Sequence, residues 1–244
     1  EHGIEYKQGT YLEEFLHISS SGLPLEKELL DTGKVFVQDE SAGLPVRLLN
    51  PRPGSTVVDL TAAPGGKATY AAIRMRNKGR VTAVDRSRKR LERVVENAQR
   101  LGIKIIAPVA SDMADFSEDE YDRVLLDPPC SGWGTAGKHS DLRWSKTRQD
   151  ITNMAKIQAK MIDRASRLVK PGGVLVYSTC TIIREENDQV VEEFLARNDD
   201  FEVDSGGQFF DSELVNERGF VKTYPNLKNL GGAFCARLKR KLSH

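Results

Sequence analysis

Short apolar runs alternate with longer amphipathic stretches along most of the chain after residue 55. The apolar runs are rich in β-branched residues and have the length of buried strands, whereas the stretches between them have the spacing of helices. This alternation predicts an α/β fold with a doubly wound, mostly parallel sheet. The predicted strands cover residues 56–60, 80–84, 103–109, 123–126 and 173–177, the helices 87–101 and 147–169, and a later helix and edge strand 185–197 and 232–238.

The residues before this alternation have a weaker pattern. Val35–Val37 predicts a short strand, and Asp39 or Ser41 is placed to cap a helix that runs to about Leu49, where an Asn-Pro-Arg-Pro-Gly turn follows. We therefore expect the main domain to begin at residue 35, with a small appendage before it.

Two thiols and an acid follow predicted strands at their carboxyl ends. Asp127 and Cys130 stand in Asp-Pro-Pro-Cys-Ser-Gly, and Cys180 stands in Ser-Thr-Cys-Thr after the strand of residues 173–177. The carboxyl edge of a parallel sheet is where ligands bind, so these side chains are predicted to face one crevice. The alternative is a stiff Pro-Pro loop with two buried structural cysteines, since free cysteines are often buried.

A glycine-rich turn, Asp59–Lys67, links the first strand of the alternation to the segment after it. Such a turn brings a ligand close to the backbone at a helix N-terminus, which suits a dinucleotide or S-adenosylmethionine. The motifs G-x-G-x-x-G and G-x-x-x-x-G-K-S/T are both absent. Asp85 is placed to hold ribose hydroxyls, or alternatively to cap the helix before Ser87. Asp112 is placed to meet the exocyclic amine of an adenine.

Composition and charge exclude several classes of protein. The 244 residues are 39% hydrophobic. No apolar run reaches the about 18 residues of a membrane span, and the N-terminus has no apolar segment for secretion, so we expect a cytoplasmic protein. The three cysteines and four histidines form no ligand cluster, so we expect no metal. Because the 36 basic and 35 acidic residues nearly cancel, nucleic-acid binding must depend on local patches.

Local basic patches supply candidate contacts for RNA. Residues 133–148 interleave cations with Trp144, which is suited to stack on an unpaired base. The cations of Arg86–Arg93 are interpreted instead as the solvated face of an amphipathic helix. An enzyme that modifies a base must flip it or select an unpaired one, so an aromatic and basic loop near Cys130 fits base chemistry.

The paired thiols suit one reaction in particular. Carbon 5 of a pyrimidine is a poor nucleophile, but a thiolate that adds to carbon 6 turns the ring into an enamine whose carbon 5 can attack the methyl group of a sulfonium. Proton loss from carbon 5 and expulsion of the enzyme sulfur complete the reaction. Asp127 is close enough in sequence to hold ring nitrogen 3. The residues alone leave open whether Cys130 or Cys180 is the nucleophile.

Taken together and in this order over residues 35–240, the motifs resemble the RNA cytosine-5 methyltransferases of the Nol1/Nop2/Sun type. The resemblance implies a Rossmann-like, S-adenosylmethionine-dependent methyltransferase that forms a covalent cysteine–C6 adduct with cytosine in tRNA or rRNA. It implies that Cys180 is the nucleophile, that Cys130 assists product release, and that Lys67 and Asp127 organise the site. The implied cofactor pocket comprises Thr61, Ala62, Ala63, Pro64, Gly65, Gly66, Lys67, Asp85, Arg86, Arg90, Asp112 and Asp127. The candidate substrate contacts are Pro128, Lys138, Arg143 and Trp144.

The chain departs from this family pattern in places. Thr61 stands where a cysteine is usual, and a segment that begins with Trp133 replaces a pair of arginines. Family members commonly carry a fuller RNA-binding domain, so residues 1–34 are expected to be a partial N-terminal substrate-binding appendage and residues 35–244 the catalytic domain. We expect a monomer. Two other hypotheses are a nicotinamide-dependent oxidoreductase on the same sheet and a catalytically idle RNA-binding module that kept the fold.

Overall fold

The computed structural model describes residues 6–18, 23–116, 120–137, 147–225 and 230–242. The strands are β1 (Tyr6–Gln8), β2 (Leu16–Ile18), β3 (Thr56–Asp59), β4 (Arg80–Asp85), β5 (Ile106–Ala110), β6 (Tyr121–Leu126), β7 (Val169–Thr179), β8 (Phe201–Val203), β9 (Val221–Thr223) and β10 (Ala233–Arg240). The helices are α1 (Leu23–Asp31), α2 (Leu44–Leu49), α3 (Gly66–Arg74), α4 (Arg88–Arg100), α5 (Arg148–Ser166) and α6 (Asp188–Arg197).

Within these residues, eight strands form one sheet in the order β5-β4-β3-β6-β7-β10-β8, with β9 paired to β10. Strands β3 to β7 are parallel, and β10 runs antiparallel to β7, β8 and β9. The predicted doubly wound, mostly parallel sheet is therefore confirmed. Chain order reverses between β3 and β6, so the carboxyl ends of these two strands form the switch point at which ligands bind in such sheets.

Successive residues on the central strands serve opposite faces of the sheet. Val57 and Leu125 lie in the core under α2, α3 and α4, whereas Val58 and Val124 lie in the core under α5 and α6. All four are buried. A strand covered on both faces is apolar at every position, which explains why the sequence shows continuous apolar runs there.

The predicted strand at Val35–Val37 is wrong. The segment has no regular secondary structure and lies in no ladder. Its Val35 carbonyl accepts a hydrogen bond from Arg100 Nη1 at 3.0 Å, so a side chain and not a neighbouring strand satisfies that oxygen. Of the two candidate caps that follow, Asp39 is used, since its Oδ1 accepts from the backbone N–H of Ser41 at 2.9 Å. It caps a short 3₁₀ turn that precedes α2.

The start of β7 also differs from the prediction. The strand predicted at residues 173–177 begins earlier, at Val169, and the Lys-Pro-Gly-Gly stretch forms the irregular start of this strand, β7. Gly172 has a φ of 76° there, and the pairing with β6 shifts register between Tyr121 and Arg123. A glycine in this left-handed conformation inside a strand marks a local bulge.

The N-terminal strands β1 and β2 form a separate two-stranded sheet that is attached to the main domain. Leu12 is 1% exposed within the core. Buried Glu40 accepts hydrogen bonds from the backbone N–H groups of residues 10, 11 and 12 at 3.0, 2.6 and 2.8 Å. In the part of the chain that the structure describes, no helix combines the length and apolar character needed to cross a bilayer.

Candidate active site

The loop between β3 and α3 begins the site. Gly65 precedes α3 with a φ of 110°, and a Cβ at this position would lie 3.2 Å from Cα of Val94 on α4. Glycine is therefore required both for the left-handed backbone and for the close approach of the two helices. Thr61 lies in the same loop, and its hydroxyl donates to the carbonyl oxygen of Asp127 at 2.9 Å. The loop thereby joins the end of β3 to the end of β6.

The carboxylate of Asp127 lies at the centre of the hydrogen bonds in the site. Its Oδ2 accepts a hydrogen bond from Lys67 Nζ at 2.6 Å, and its Oδ1 accepts one from Ser178 Oγ at 2.8 Å. These partners come from α3 and β7, so the carboxylate is fixed from two sides. Ser178 was missed as a site residue, although it begins the Ser-Thr-Cys-Thr motif that follows the predicted strand of residues 173–177.

The charged groups around Asp127 shift one another's pKa values. Burial alone would lower the pKa of Lys67, but the charge of Asp127 and the hydrogen bond to it raise the pKa above its ordinary value. Burial raises the pKa of Asp59 to about 7, against the charge of Lys67 and with the help of the charge on Asp127. Lys67 therefore remains a cation, and Asp59 is partly protonated near neutral pH.

Cys130 and Cys180 meet beside this carboxylate. Their Sγ atoms lie 3.1 Å apart, although 50 positions separate them in sequence. Cys130 is half-buried and Cys180 is exposed, whereas the third cysteine, Cys235, is buried. The alternative of a buried structural cysteine therefore describes Cys235 and does not describe Cys180.

The contact between the two sulfurs makes the thiols unequal. The hydrogen bond with Cys130 is the main reason that the pKa of Cys180 is lowered, and Lys67 contributes, against burial and the charge of Asp127. The same hydrogen bond, with burial, raises the pKa of Cys130. The thiolate is the nucleophilic form of cysteine, so the geometry favours Cys180 for that role.

A cavity of about 600 Å³ opens in front of these residues. Its size is that of a pocket for a small organic ligand. The expected site residues that line it are Thr61, Ala63, Asp85, Arg86, Arg90, Asp112, Asp127, Pro128, Cys130 and Cys180. Expected cofactor contacts that do not line it are Ala62, Pro64, Gly65, Gly66 and Lys67, which form the turn behind the cavity wall and the start of α3.

One wall of the cavity was missed from the sequence. Helix α5 contributes Ile157, Lys160, Met161 and Arg164 to the lining. Their spacing of three and four places them on one face of the helix, which is a signal that the sequence contains. The same spacing is typical of a helix face packed on a core, so it does not by itself indicate a pocket.

The acid at the end of β4 is held in place by its neighbours. Asp85 Oδ2 accepts from the backbone N–H of Ala63 at 3.3 Å and lies 3.6 Å from Arg90 Nη1. The alternative role of Asp85 as a helix cap is wrong, because Ser87 is the N-cap of α4 and its hydroxyl accepts from Arg90 N. Asp112 Oδ1 accepts from the N–H of Ala114 at 2.9 Å. The candidate substrate residues Lys138, Arg143 and Trp144 lie outside the described residues.

The model of the 16S rRNA methyltransferase RsmB/F family matches residues 46–239, which contain every element of this site. This chain belongs to that family. It is 38% identical over 246 aligned positions to the probable ribosomal RNA small subunit methyltransferase B of Bacillus subtilis, covering 98% of this chain and 55% of that protein. It is 42% identical to the ribosomal RNA small subunit methyltransferase B of Klebsiella pneumoniae, covering 72% of this chain and 41% of that protein.

A solved structure supports the same family. NSun6 from Pyrococcus horikoshii with SFG superposes with a TM-score of 0.80 at 32% identity, covering 93% of this chain and 57% of that one. The fold is therefore the Rossmann-like fold of S-adenosylmethionine-dependent methyltransferases, and the resemblance to the Nol1/Nop2/Sun type is confirmed. The chain spans about half the length of the curated relatives that it matches.

Proposed function

We propose that this chain transfers a methyl group from S-adenosylmethionine to carbon 5 of a cytosine in RNA, through a covalent bond between Cys180 and carbon 6. The observation that carries the proposal is the contact of Cys130 and Cys180, 3.1 Å apart, at the mouth of a cavity that Asp127 also lines. Family membership supports the same reaction and favours rRNA over tRNA as the substrate class.

The residues take the following roles in this proposal. Cys180, whose pKa is lowered, adds to carbon 6 and raises the electron density at carbon 5. Asp127, held by Lys67 and Ser178, binds the edge of the base at nitrogen 3. After methyl transfer the proton at carbon 5 is removed, Cys130 assists the release of Cys180 from carbon 6, and the aromatic ring is restored.

The cavity fits S-adenosylmethionine. When bound, the cofactor supplies the electrophilic methyl group. The volume of about 600 Å³ and the placement of Asp85 and Asp112 at the ends of β4 and β5 suit a ligand with ribose hydroxyls and an adenine amine. Arg86 and Arg90 stand at the rim of the same cavity. The glycine-rich turn behind it fixes the first helix against the sheet.

Several finer assignments are part of the proposal. Pro128 and the segment that contains Lys138, Arg143 and Trp144 contact the RNA, because the segment follows Cys130 in the chain. Residues 1–34 act as a substrate-binding appendage to a catalytic domain of residues 35–244. The protein works as a monomer in the cytoplasm, where rRNA is made in bacteria.

The test is methyl transfer from labelled S-adenosylmethionine into 16S rRNA and bulk tRNA, followed by digestion to nucleosides. Label in 5-methylcytidine from rRNA is the expected result. Cofactor binding without transfer to any RNA would favour the idle RNA-binding module. Family membership argues against the nicotinamide-dependent oxidoreductase, which predicts saturable binding of a dinucleotide and none of S-adenosylmethionine.

A further inference from the structure

Two consecutive buried residues, Glu186 and Asn187, lie just beyond Cys180. They are 0% and 3% exposed. Glu186 ends a short 3₁₀ turn and Asn187 precedes α6. Neither lines the cavity, and the proposed reaction assigns no role to either. Together with Gln158, they nevertheless hold the residues on both sides of each of the two cysteines.

Glu186 holds the loop that carries Cys130. Its Oε2 accepts from the backbone N–H of Ser131, directly after Cys130, at 2.8 Å. The same oxygen accepts from Nε2 of Gln158 at 2.9 Å. That Nε2 also donates to the carbonyl of Pro129, directly before Cys130, at 2.8 Å. Both neighbours of Cys130 are thus tied to one buried pair of side chains.

Asn187 holds the loop that carries Cys180 in the same way. Its Oδ1 accepts from the hydroxyl of Thr179 at 2.5 Å, and its Nδ2 donates to the carbonyl of Thr181 at 2.9 Å. These residues are the two neighbours of Cys180. Because Glu186 and Asn187 are adjacent in the chain, one short segment carries the side chains that hold both cysteine loops.

Two direct links complete the connection between the loops. The hydroxyls of Ser131 and Thr181 lie 2.9 Å apart. The backbone N–H of Gly134 donates to the carbonyl of Cys180 at 3.0 Å. A Cβ on Gly134 would lie 1.9 Å from the carbonyl oxygen of residue 232, so this approach requires glycine.

We propose that Glu186 and Gln158 are positioning residues that set the separation of the Cys130 and Cys180 sulfurs. This inference rests on the proposed function for its effect on turnover. The two cysteines stand on loops after different strands, so their separation is set by what joins the loops. A displacement of about 1 Å can reduce a reaction rate roughly 100-fold when reacting groups must be aligned.

The hydrogen bonds to the Glu186 side chain can be tested by conservative substitution. Among the described residues, Glu186 forms no ion pair, and both hydrogen bonds to its carboxylate come from neutral amides. A glutamine at this position keeps one oxygen that can accept from Ser131 and Gln158. The Oε1 atoms of Glu186 and Gln158 are buried with no partner in the described part of the chain. The new amide of Glu186→Gln therefore takes a position that forms no hydrogen bond in the wild type.

The experiment compares Glu186→Gln with Glu186→Leu, which removes the acceptor but keeps a similar volume. Matched controls are Glu185→Gln and Glu185→Leu, since Glu185 is the exposed neighbour. The first readout is the rate of methyl transfer. The second is the pH midpoint of Cys180 alkylation by iodoacetamide, followed by peptide mass spectrometry, which requires neither RNA nor cofactor.

For Glu186→Leu we expect a loss in turnover of roughly 10- to 100-fold. We also expect its alkylation midpoint to move to higher pH, towards that of Cys130→Ala, because the sulfur contact is lost. Glu186→Gln should restore both readouts, and the Glu185 variants should match the wild type. Gln158→Met removes the hydrogen bonds that Gln158 donates to Glu186 and Pro129. It replaces Glu186→Leu if that variant does not fold.

Two results would overturn the proposal. One is an unchanged alkylation midpoint in both Glu186→Leu and Gln158→Met. The other is an equal loss in Glu186→Gln and Glu186→Leu, which would assign the effect to the negative charge. If the wild type transfers no methyl group, the proposed function fails, but the alkylation midpoints still decide whether Glu186 positions the sulfurs.

Discussion

The Sγ atoms of Cys130 and Cys180 form a hydrogen-bond contact of 3.1 Å across the carboxyl ends of β6 and β7. A proton kept on one sulfur stabilises a thiolate on the other through this hydrogen bond, so the two thiols do not lose their protons at the same pH. The pKa of Cys180 is lowered and that of Cys130 is raised. These opposite shifts fit the proposed roles of Cys180 in attack and of Cys130 in release.

Removing each cysteine should have a different effect. Cys180→Ala should abolish methyl transfer, because no thiolate remains to add to carbon 6. Cys130→Ala should trap a covalent protein–RNA adduct, because release of Cys180 is no longer assisted. Gel electrophoresis of protein incubated with RNA and S-adenosylmethionine measures the adduct.

Cys235→Ala is the matched control for these variants, since Cys235 is 1% exposed in the core and does not line the cavity. It should transfer methyl groups and accumulate no adduct. Methyl transfer by Cys180→Ala at the wild-type rate would contradict the nucleophile assignment. Absence of an adduct in Cys130→Ala with an RNA that the wild type methylates would contradict the release role.

Hydrogen peroxide should inactivate the protein reversibly. Peroxide oxidises the Cys180 thiolate to a sulfenic acid, and the Cys130 thiol then displaces water to form a disulfide. Two thiols lose two protons and two electrons, and the peroxide becomes two waters. At 3.1 Å the sulfurs are close enough for this step after a small movement.

Dithiothreitol should restore the activity of peroxide-treated wild type, and mass spectrometry should show the linked peptides before reduction. In Cys130→Ala the sulfenic acid has no resolving thiol nearby, so longer treatment should carry Cys180 to irreversible acids. Wild-type activity that dithiothreitol does not recover would show that the two sulfurs do not resolve one another.

The charge of Lys67 should be essential. Lys67→Met removes the cation bonded to Asp127 at 2.6 Å and leaves the negative charge of Asp127 without this partner. The charge of Asp127 raises the pKa of Cys180 and that of Lys67 lowers it, so this variant should hold less thiolate at Cys180. We expect turnover to fall by roughly 10²-fold, by analogy with the loss of a single charge-stabilising donor.

The exposed Lys78→Met is the matched control and should leave turnover unchanged. The pH profile separates the cause from a general loss of folding. In Lys67→Met the rise in activity with pH should occur at higher pH than in the wild type. A profile with an unchanged midpoint would show that Lys67 does not act on Cys180.

The meeting of the two cysteines could be predicted, because parallel strands end at one edge and both thiols follow strands that proved to be neighbours. The hydrogen bonds to the residues that flank the two cysteines could not be predicted. Glu186 and Gln158 are polar residues in segments of ordinary helical pattern, and only tertiary structure brings them to the Cys130 loop. The cavity face on α5 could not be distinguished from a face packed on the core.

The local sequence pattern also gave a wrong prediction where a side chain satisfies a backbone carbonyl. Val35–Val37 has the composition of a strand, but Arg100 satisfies its carbonyl, so no ladder forms. Composition reports the preference of side chains for a pleated surface and does not report which group reaches the backbone. The function was more accessible than these details, because its motifs lie at strand ends that the alternation locates.

Glu40 links the N-terminal sheet to the main domain and should make stability depend on acid. Its carboxylate accepts three backbone N–H groups and contacts His17 Nε2 at 2.6 Å. Burial alone would raise the pKa of Glu40, but these hydrogen bonds outweigh it and lower the pKa below its ordinary 4.5. The stabilisation is therefore fully present above pH 4.5 and is lost as pH falls through the lower pKa of the folded state.

Glu40→Gln should reduce the free energy of unfolding near neutral pH by about 2 kcal/mol, because an amide cannot accept all of these donors and leaves some of them buried and unpaired. Urea unfolding of both proteins over a range of pH measures the difference. This difference should shrink as the pH falls below 4.5 and through the lower pKa of the folded wild type, where the Glu40 carboxylate takes up a proton. The exposed Glu13→Gln should follow the wild type throughout. Parallel curves for Glu40→Gln and wild type down to the lowest pH would exclude Glu40 as the group responsible, since only a group with different pKa values in the folded and unfolded chain makes stability depend on pH.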